Sequence, residues 1–193
     1  MSDYGRTYCG WSQLRRRGHR KTGPKSGAPL GLPGGSEVLF RAVEPEDASA
    51  LGRFLGRCSE RTIYLRFFGS LGEVSEEKAK YLASVDGTDH FGLVALNPED
   101  HDEIIGMVRY DREPGEERAE YAAIVEDGWQ DHGIGIGLTR RLISAARENG
   151  VKYFYALVMG KNTRMLELLR HLDLPEEERK EGGVKHVDVE LSY

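Results

Sequence analysis

The stretch WQDHGIGIGLTRRLISAA, residues 129–146, decides how this chain is read. Gly133, Gly135 and Gly137 alternate with Ile134 and Ile136, and a run of apolar and basic residues follows. Glycine costs about 1 kcal/mol more than alanine inside a helix, so three at a helix start need a reason. Ile134, Leu138, Leu142 and Ala146 step by four along one face, with Arg140, Arg141 and Arg147 elsewhere. Asn149-Gly150 then supplies a stop, so the spacing predicts a helix over 133–148. Nucleotide-binding glycine motifs do not fit. G-x-G-x-x-G begun at Gly133 meets Leu138, begun at Gly135 it meets Arg140, and Gly-Lys-Ser/Thr is absent. Two readings remain. The glycines let an anion, most simply a phosphate or pyrophosphate, reach free amides at the positive end of the helix, or they only permit close packing on a strand.

The flanking sequence is strand-like on both sides. HFGLVALN (90–97), EIIGMVRYD (103–111) and RAEYAAIVE (118–126) are separated by polar loops carrying Pro or Gly, which predicts an antiparallel meander. The loop residues DHDE (100–103) read as a solvated turn rather than a metal cluster, and the histidines have no ligand spacing, so no metal is expected. VKYFYALVM (151–159) is a strand, NTRMLELLRHL (162–172) a helix, and VKHVDVELS (184–192) a last alternating strand. PEEERKEGG (175–183) reads as a charged loop.

Nearer the N-terminus, EVLFRAV (37–43) reads as the first strand, and ordered structure is expected to begin there. A helix follows Pro45, with Ala48, Leu51, Phe54 and Leu55 on one face. SERTIYLRFFG (59–69) is a second, with Ser59 as cap and Gly69 as stop; Ser75 would cap a third, running to Ser84. The expected fold is therefore α+β, a mixed, mostly antiparallel sheet with helices packed against it in one domain.

With 193 residues, 39 % apolar and 31 % charged, the chain has room for one full core. No apolar run approaches the roughly 18 residues that span a bilayer, so no membrane is expected. The N-terminal stretch has charge without an apolar centre, unlike a secretory leader. Cys9 and Cys58 are isolated, and the expected location is cytoplasmic. Residues 1–36 carry seven Lys/Arg against Asp3 alone, which leaves −11 of the total −5 to residues 37–193. A flexible basic, glycine-rich tail on an acidic body is the expected organisation. The body shows no basic stripe, which weighs against nucleic acid as partner.

Gln130-Asp131-His132-Gly133-Ile134-Gly135 matches Gln/Arg-x-x-Gly-x-Gly/Ala. In that motif, with a strand before it, Trp129 beside it and an Asn-started helix after the next strand, the chain resembles the GCN5-related N-acetyltransferases (GNAT superfamily). RTIYLRFFG, VDGTDHFGLVAL and EIIGMVRY look, within that superfamily, like bacterial protein-lysine acetyltransferases that modify acyl-CoA synthetases. The resemblance covers about 37–192 and implies an N-acetyltransferase with acetyl-CoA as donor and a primary amine, a protein lysine for preference, as acceptor. It implies that the pyrophosphate sits on the amides around His132, Gly133, Ile134, Gly135, Ile136 and Gly137. Gln130 belongs to the same signature, and Asn162 starts the helix beside the cofactor. The backbone of Ile124 and Val125 would pair with the pantetheine arm.

Amine acetylation needs a fixed thioester, a proton acceptor and an oxyanion partner. Glu120 shares a strand face with Ala122 and Ile124, where burial would raise its pKa. The resemblance implies that it is the general base; an ordinary solvated glutamate is the competing reading, and Glu126 the second candidate. Three departures stand out. Leu169 occupies the place where many GNAT enzymes carry a tyrosine acid, Asp131 stands where glycine is frequent, and His132 where Arg or Lys is common. The alternatives that stay open are a polyamine- or aminoglycoside-like acceptor and a non-catalytic acyl-CoA-binding module.

Overall fold

The computed structural model describes residues 28–69 and 76–191. The basic segment 1–27, Ser75 and Ser192 lie outside them. Sequence order is β1 (Leu30–Gly31), β2 (Glu37–Val38), β3 (Phe40–Ala42), α1 (Ala48–Arg57), α2 (Glu60–Phe67) and α3 (Glu76–Ala83). Then come β4 (His90–Asn97), β5 (Asp100–Asp111), β6 (Arg118–Val125) and α4 (Ile134–Glu148). β7 (Tyr153–Met159), α5 (Thr163–Arg170), β8 (Glu176–Glu181) and β9 (Val184–Glu190) complete the fold. The main sheet has the order β3-β4-β5-β6-β7-β9-β8. Every neighbouring pair is antiparallel except β6 with β7. That single parallel step follows from the α4 crossover, since parallel strands cannot be joined by a hairpin.

Helices cover both faces. Ile134, Leu138, Leu142 and Ala146 of α4 are buried as their spacing predicts, and with Leu166 and Leu169 of α5 they pack on Phe91, Leu93 and Tyr121. Leu51, Phe54 and Leu55 of α1, Ile63 of α2 and Leu82 of α3 pack on Val94, Met107 and Ile124 from the other side. Burial of each such side chain contributes about 1.5–3 kcal/mol. β5 is covered on both faces and runs buried without alternation from Ile104 to Tyr110. Among the described residues no helix is long and apolar enough to cross a membrane.

Four local expectations are corrected. The charged segment after Pro175 is not a loop: β8 forms a hairpin with β9 through Gly182, whose φ is 59°. It is an edge strand whose Glu178 finds Lys185 across the pairing at 2.7 Å and Arg170 of α5 at 3.0 Å. Asp100–Asp102 also belong to a strand, because β5 turns tightly from β4 and pairs Asp100 with Asn97. Structure begins before residue 37, in the β1–β2 hairpin, where Leu30 and Leu32 pack against the core. Finally, α2 is capped by Ser59, which accepts from the Thr62 amide at 3.2 Å, but it ends at Phe68 in the left-handed region, one residue before Gly69.

Candidate active site

β6 and β7 pair only at Arg118 with Tyr153, Ala119 with Phe154 and Glu120 with Tyr155. Beyond that rung β6 runs on to Val125 and β7 to Met159 with no further pairing, so a gap opens within the sheet. Backbone direction along β6 follows from three hydrogen bonds. Glu126 N–H donates to Ile105 O at 3.0 Å, while Lys152 and Tyr153 N–H donate to Glu117 O at 2.8 and 3.1 Å. Alternation then turns the backbone groups of even-numbered residues toward β5 and of odd-numbered residues toward β7. Ala123 therefore offers N–H and C=O to the gap, Val125 its N–H and Tyr121 its C=O. Ile124, expected to pair with the pantetheine arm, turns its backbone to β5 opposite Met107, and Ala123 is the neighbour whose backbone faces the gap. Sequence alone could not find Ala123, because choosing between alternate residues requires the register.

The gap leads to the head of α4. Gly133 has φ 79°, and the first intrahelical bond runs from Gly137 N–H to Gly133 O at 2.9 Å. The amides of Ile134, Gly135 and Ile136 precede it and have no intrahelical partner. Gly137 thus leaves the set of free donors, and its Cβ position would lie 3.3 Å from the Phe40 ring. At Gly135 a Cβ would stand 2.9 Å from Leu168 Cδ1 of α5. Gly135 and Gly137 thus serve packing, and three amides at the helix head are without an intrahelical partner.

A groove of about 990 Å³ lies against this helix end. Ile124, Val125 and Gln130 line it from β6 and the following loop, Gly133 from the cap of α4, Gly135 and Ile136 from its first turn, and Asn162 from the cap of α5. Gln130 braces the loop, its Nε2 donating to Val125 O at 2.9 Å. Asn162 caps α5 by accepting from the Met165 amide at 3.2 Å. The Ile134 side chain is in the core, leaving only its amide for a ligand. His132 does not line the groove, and its Nδ1 lies 2.6 Å from the Gln130 carbonyl oxygen. Five basic side chains, Arg61, Arg66, Arg140, Lys161 and Arg164, face three carboxylates there, Asp127, Asp131 and Glu167. On an acidic body that balance favours an anionic ligand. Asp127 is already engaged by Ser59 and Thr62, and Asp131 by Arg164.

Gly133 carries a testable demand. Its left-handed backbone is costly for an L-residue with a Cβ, although no atom lies within 4 Å of the added carbon. Gly133→Ala is expected to cost about 1–2 kcal/mol, a fall of roughly 2–8 °C in thermal midpoint measured by circular dichroism.

Glu120 stands on the last rung before the gap, on the same sheet face as Asp111 and Tyr155, its register partners on either side. It is exposed toward solvent, yet protein crowds its carboxyl closely enough to raise its pKa; Arg66 opposes that shift and Asp111 adds to it. Among the described residues no hydrogen bond or ion pair occupies it. Glu126, by contrast, is tied to Arg57 Nε at 3.1 Å. Leu169 is buried in the core and offers no proton, whereas Tyr155 carries a hydroxyl on the rung of Glu120. Sequence reasoning also missed Arg109. It is buried beneath this face, its Nε donating to Asp111 Oδ2 at 2.7 Å. Burial alone would push Asp111 up, but hydrogen bonding with His90 and the Arg109 charge hold it below the usual carboxylate range. An arginine two residues before an aspartate in an otherwise apolar strand was the available signal. Among the described residues no group of three or more His, Cys, Asp or Glu is placed to hold a metal ion.

The profile of the acetyltransferase (GNAT) domain family matches residues 37–174. An acetyltransferase of Pseudomonas aeruginosa is 32 % identical over 138 residues, covering 71 % of this chain and 74 % of that protein. Acetyltransferase Pat of Mycolicibacterium smegmatis is 32 % identical over 149 residues, which are 75 % of this chain and 43 % of Pat. The chain thus spans less than half of that relative. The solved GNAT domain of S. lividans PAT superposes with a TM-score of 0.77 at 26 % identity, covering 84 % of this chain and 96 % of that one.

Proposed function

The chain belongs to the GNAT acetyltransferase family, and on that premise we propose that it moves an acetyl group from acetyl-CoA to a primary amine, a protein lysine for preference, with Glu120 as general base. The observation that carries this reading is the continuity of the gap between β6 and β7 with the free amides of α4. An unpaired strand edge suits an extended amide-bearing arm, and three amides at a helix head suit a pyrophosphate. Acetyl-CoA, the donor used by the family, supplies an activated thioester.

Each residue then has a task. Ala123 and Val125 hold the pantetheine arm through their odd-numbered backbone groups, with Gln130 fixing the loop behind them. Ile134, Gly135 and Ile136 bind the pyrophosphate, and Asn162 keeps α5 alongside. Glu120, unpaired and with a raised pKa, takes the proton from the incoming ammonium, directly or through one water. Asp111, Glu120, Asp188 and Glu177 lie in one cross-strand row with Tyr155 among them; Arg109 holds Asp111 and Arg118 holds Asp188, which leaves Glu120 as the carboxylate beside the gap for a cationic acceptor. The resemblance of RTIYLRFFG, VDGTDHFGLVAL and EIIGMVRY to protein-lysine acetyltransferases supports lysine over small amines. The buried Leu169 is the observation that favours a second reading, a non-catalytic acyl-CoA-binding module.

Release of coenzyme A thiol, followed with lysine-bearing proteins, polyamines and aminoglycosides, tests the assignment. Transfer to protein lysine, located by mass spectrometry, is the expected result. Transfer confined to small amines would replace the acceptor, and cofactor binding without transfer to any amine would establish the binding module instead.

A further inference from the structure

Asp131 stands on the loop that enters the free amides of α4, where a lone carboxylate would repel a phosphate. It is not alone. Arg164, in the first turn of α5 on the opposite wall of the groove, grips it with both arms, Nε at 3.2 Å from Oδ1 and Nη2 at 2.9 Å from Oδ2. The pair therefore joins the β6–α4 loop to α5 at the groove that the amides face. Both side chains are open to water, at 61 % and 67 % exposure, so the pair is weak and readily exchanged. Arg140 enters the same groove from further along α4, with a single long hydrogen bond to His171 O at 3.4 Å among the described contacts.

A guanidinium fork matches two oxygens of a carboxylate or of a phosphate equally well. A phosphate at this place gains the amides of Ile134, Gly135 and Ile136 as well, donors to which the Asp131 carboxylate is not bonded. We propose that Arg164 is a phosphate ligand of the groove and that Asp131 is its counter-ion in the free protein, displaced when a cofactor phosphate arrives. This inference rests on the acetyl-CoA reading of the groove. It gives Asp131 a job: the carboxylate competes with the ligand for Arg164, lowering affinity and easing release of coenzyme A.

Asp131→Asn removes the competing charge without disturbing the backbone, since asparagine tolerates the φ of 64° found there. Titration calorimetry of coenzyme A into the full chain should show about threefold to tenfold tighter binding in Asp131→Asn, most clearly at low salt. Arg164→Gln should weaken binding by about tenfold, and adding Asp131→Asn to it should restore only the part due to repulsion by the unpaired carboxylate, leaving the double variant weaker than Asp131→Asn alone. Dephospho-coenzyme A identifies the phosphate concerned. If the Arg164 effect vanishes with it, the 3′-phosphate is bound; if the effect persists, the pyrophosphate is. Weaker or unchanged binding in Asp131→Asn, or no loss in Arg164→Gln, overturns the exchange while leaving the groove a coenzyme site. Failure of the wild type to bind coenzyme A overturns both.

Discussion

Glu120→Gln is expected to lower acetyl transfer by about 10²–10³-fold while coenzyme A binding stays within twofold of wild type. The substitution keeps size and polarity and removes only the basic oxygen. Its position separates the two effects, because Glu120 lies at the last β6–β7 rung and not among the residues lining the phosphate groove. The pH profile provides an independent check. Crowding by protein raises the Glu120 pKa, Arg66 opposes the rise and Asp111 reinforces it, so the folded value lies above the ordinary glutamate value of 4.5. A base works only when ionised, so the wild-type rate should fall as pH drops through that raised pKa. In Glu120→Gln this acid limb should be absent from a uniformly slow profile. A variant with the wild-type rate and limb would move the role elsewhere, and Glu126 would be a poor heir because Arg57 already holds it.

What the sequence disclosed was what depends on local periodicity. The four-residue steps of α4, the alternation in β6 and the Asn162 cap are all short-range patterns, and each stands where its spacing put it. What it hid depends on partners far along the chain. β8 has the composition of a loop and becomes a strand only because β9 returns beside it, giving Glu178 a cation across the hairpin. That Ala123 rather than Ile124 turns its backbone to the gap is a matter of register, set by β5 and by the Glu117 carbonyl. Asp131 looked hostile to a phosphate because Arg164 is 33 residues away and reaches it only through the fold. The glycines show both limits at once: their free amides follow from position in the helix, but the Phe40 and Leu168 contacts that require glycine do not.

Arg109→Met should destabilise the protein by about 3–5 kcal/mol, the cost of leaving a buried charge without its partner. Arg109 is 2 % exposed, and every arm of its guanidinium is used. Nε and Nη2 both reach Asp111, while Nη1 donates to the carbonyls of Tyr81 at 3.2 Å and Leu82 at 3.4 Å. Those carbonyls belong to the last turn of α3, where the Tyr81 oxygen also accepts from the Ser84 amide at 3.0 Å, so one side chain fastens α3 to β5. The guanidinium also lies 4.4 Å from the centroid of the Tyr81 ring. Methionine fills comparable volume but makes none of these bonds, and it leaves Asp111 with His90 alone at 2.8 Å. Arg109→Lys should recover only a fraction, because a single ammonium cannot meet the carboxylate and two carbonyls together. A loss of this size lowers the thermal midpoint by roughly 6–20 °C for a chain of this length. The sign of the pH dependence is fixed by Asp111, whose pKa is depressed in the folded wild type. Its contribution is present above the unfolded value of 3.8 and is lost as pH falls through the depressed one. Denaturation curves of wild type and Arg109→Met should therefore lie far apart near neutrality and converge in acid, where a protonated Asp111 needs no counter-charge. A gap that stays constant with pH would mean that the arginine acts through packing and the α3 carbonyls, and not through its charge.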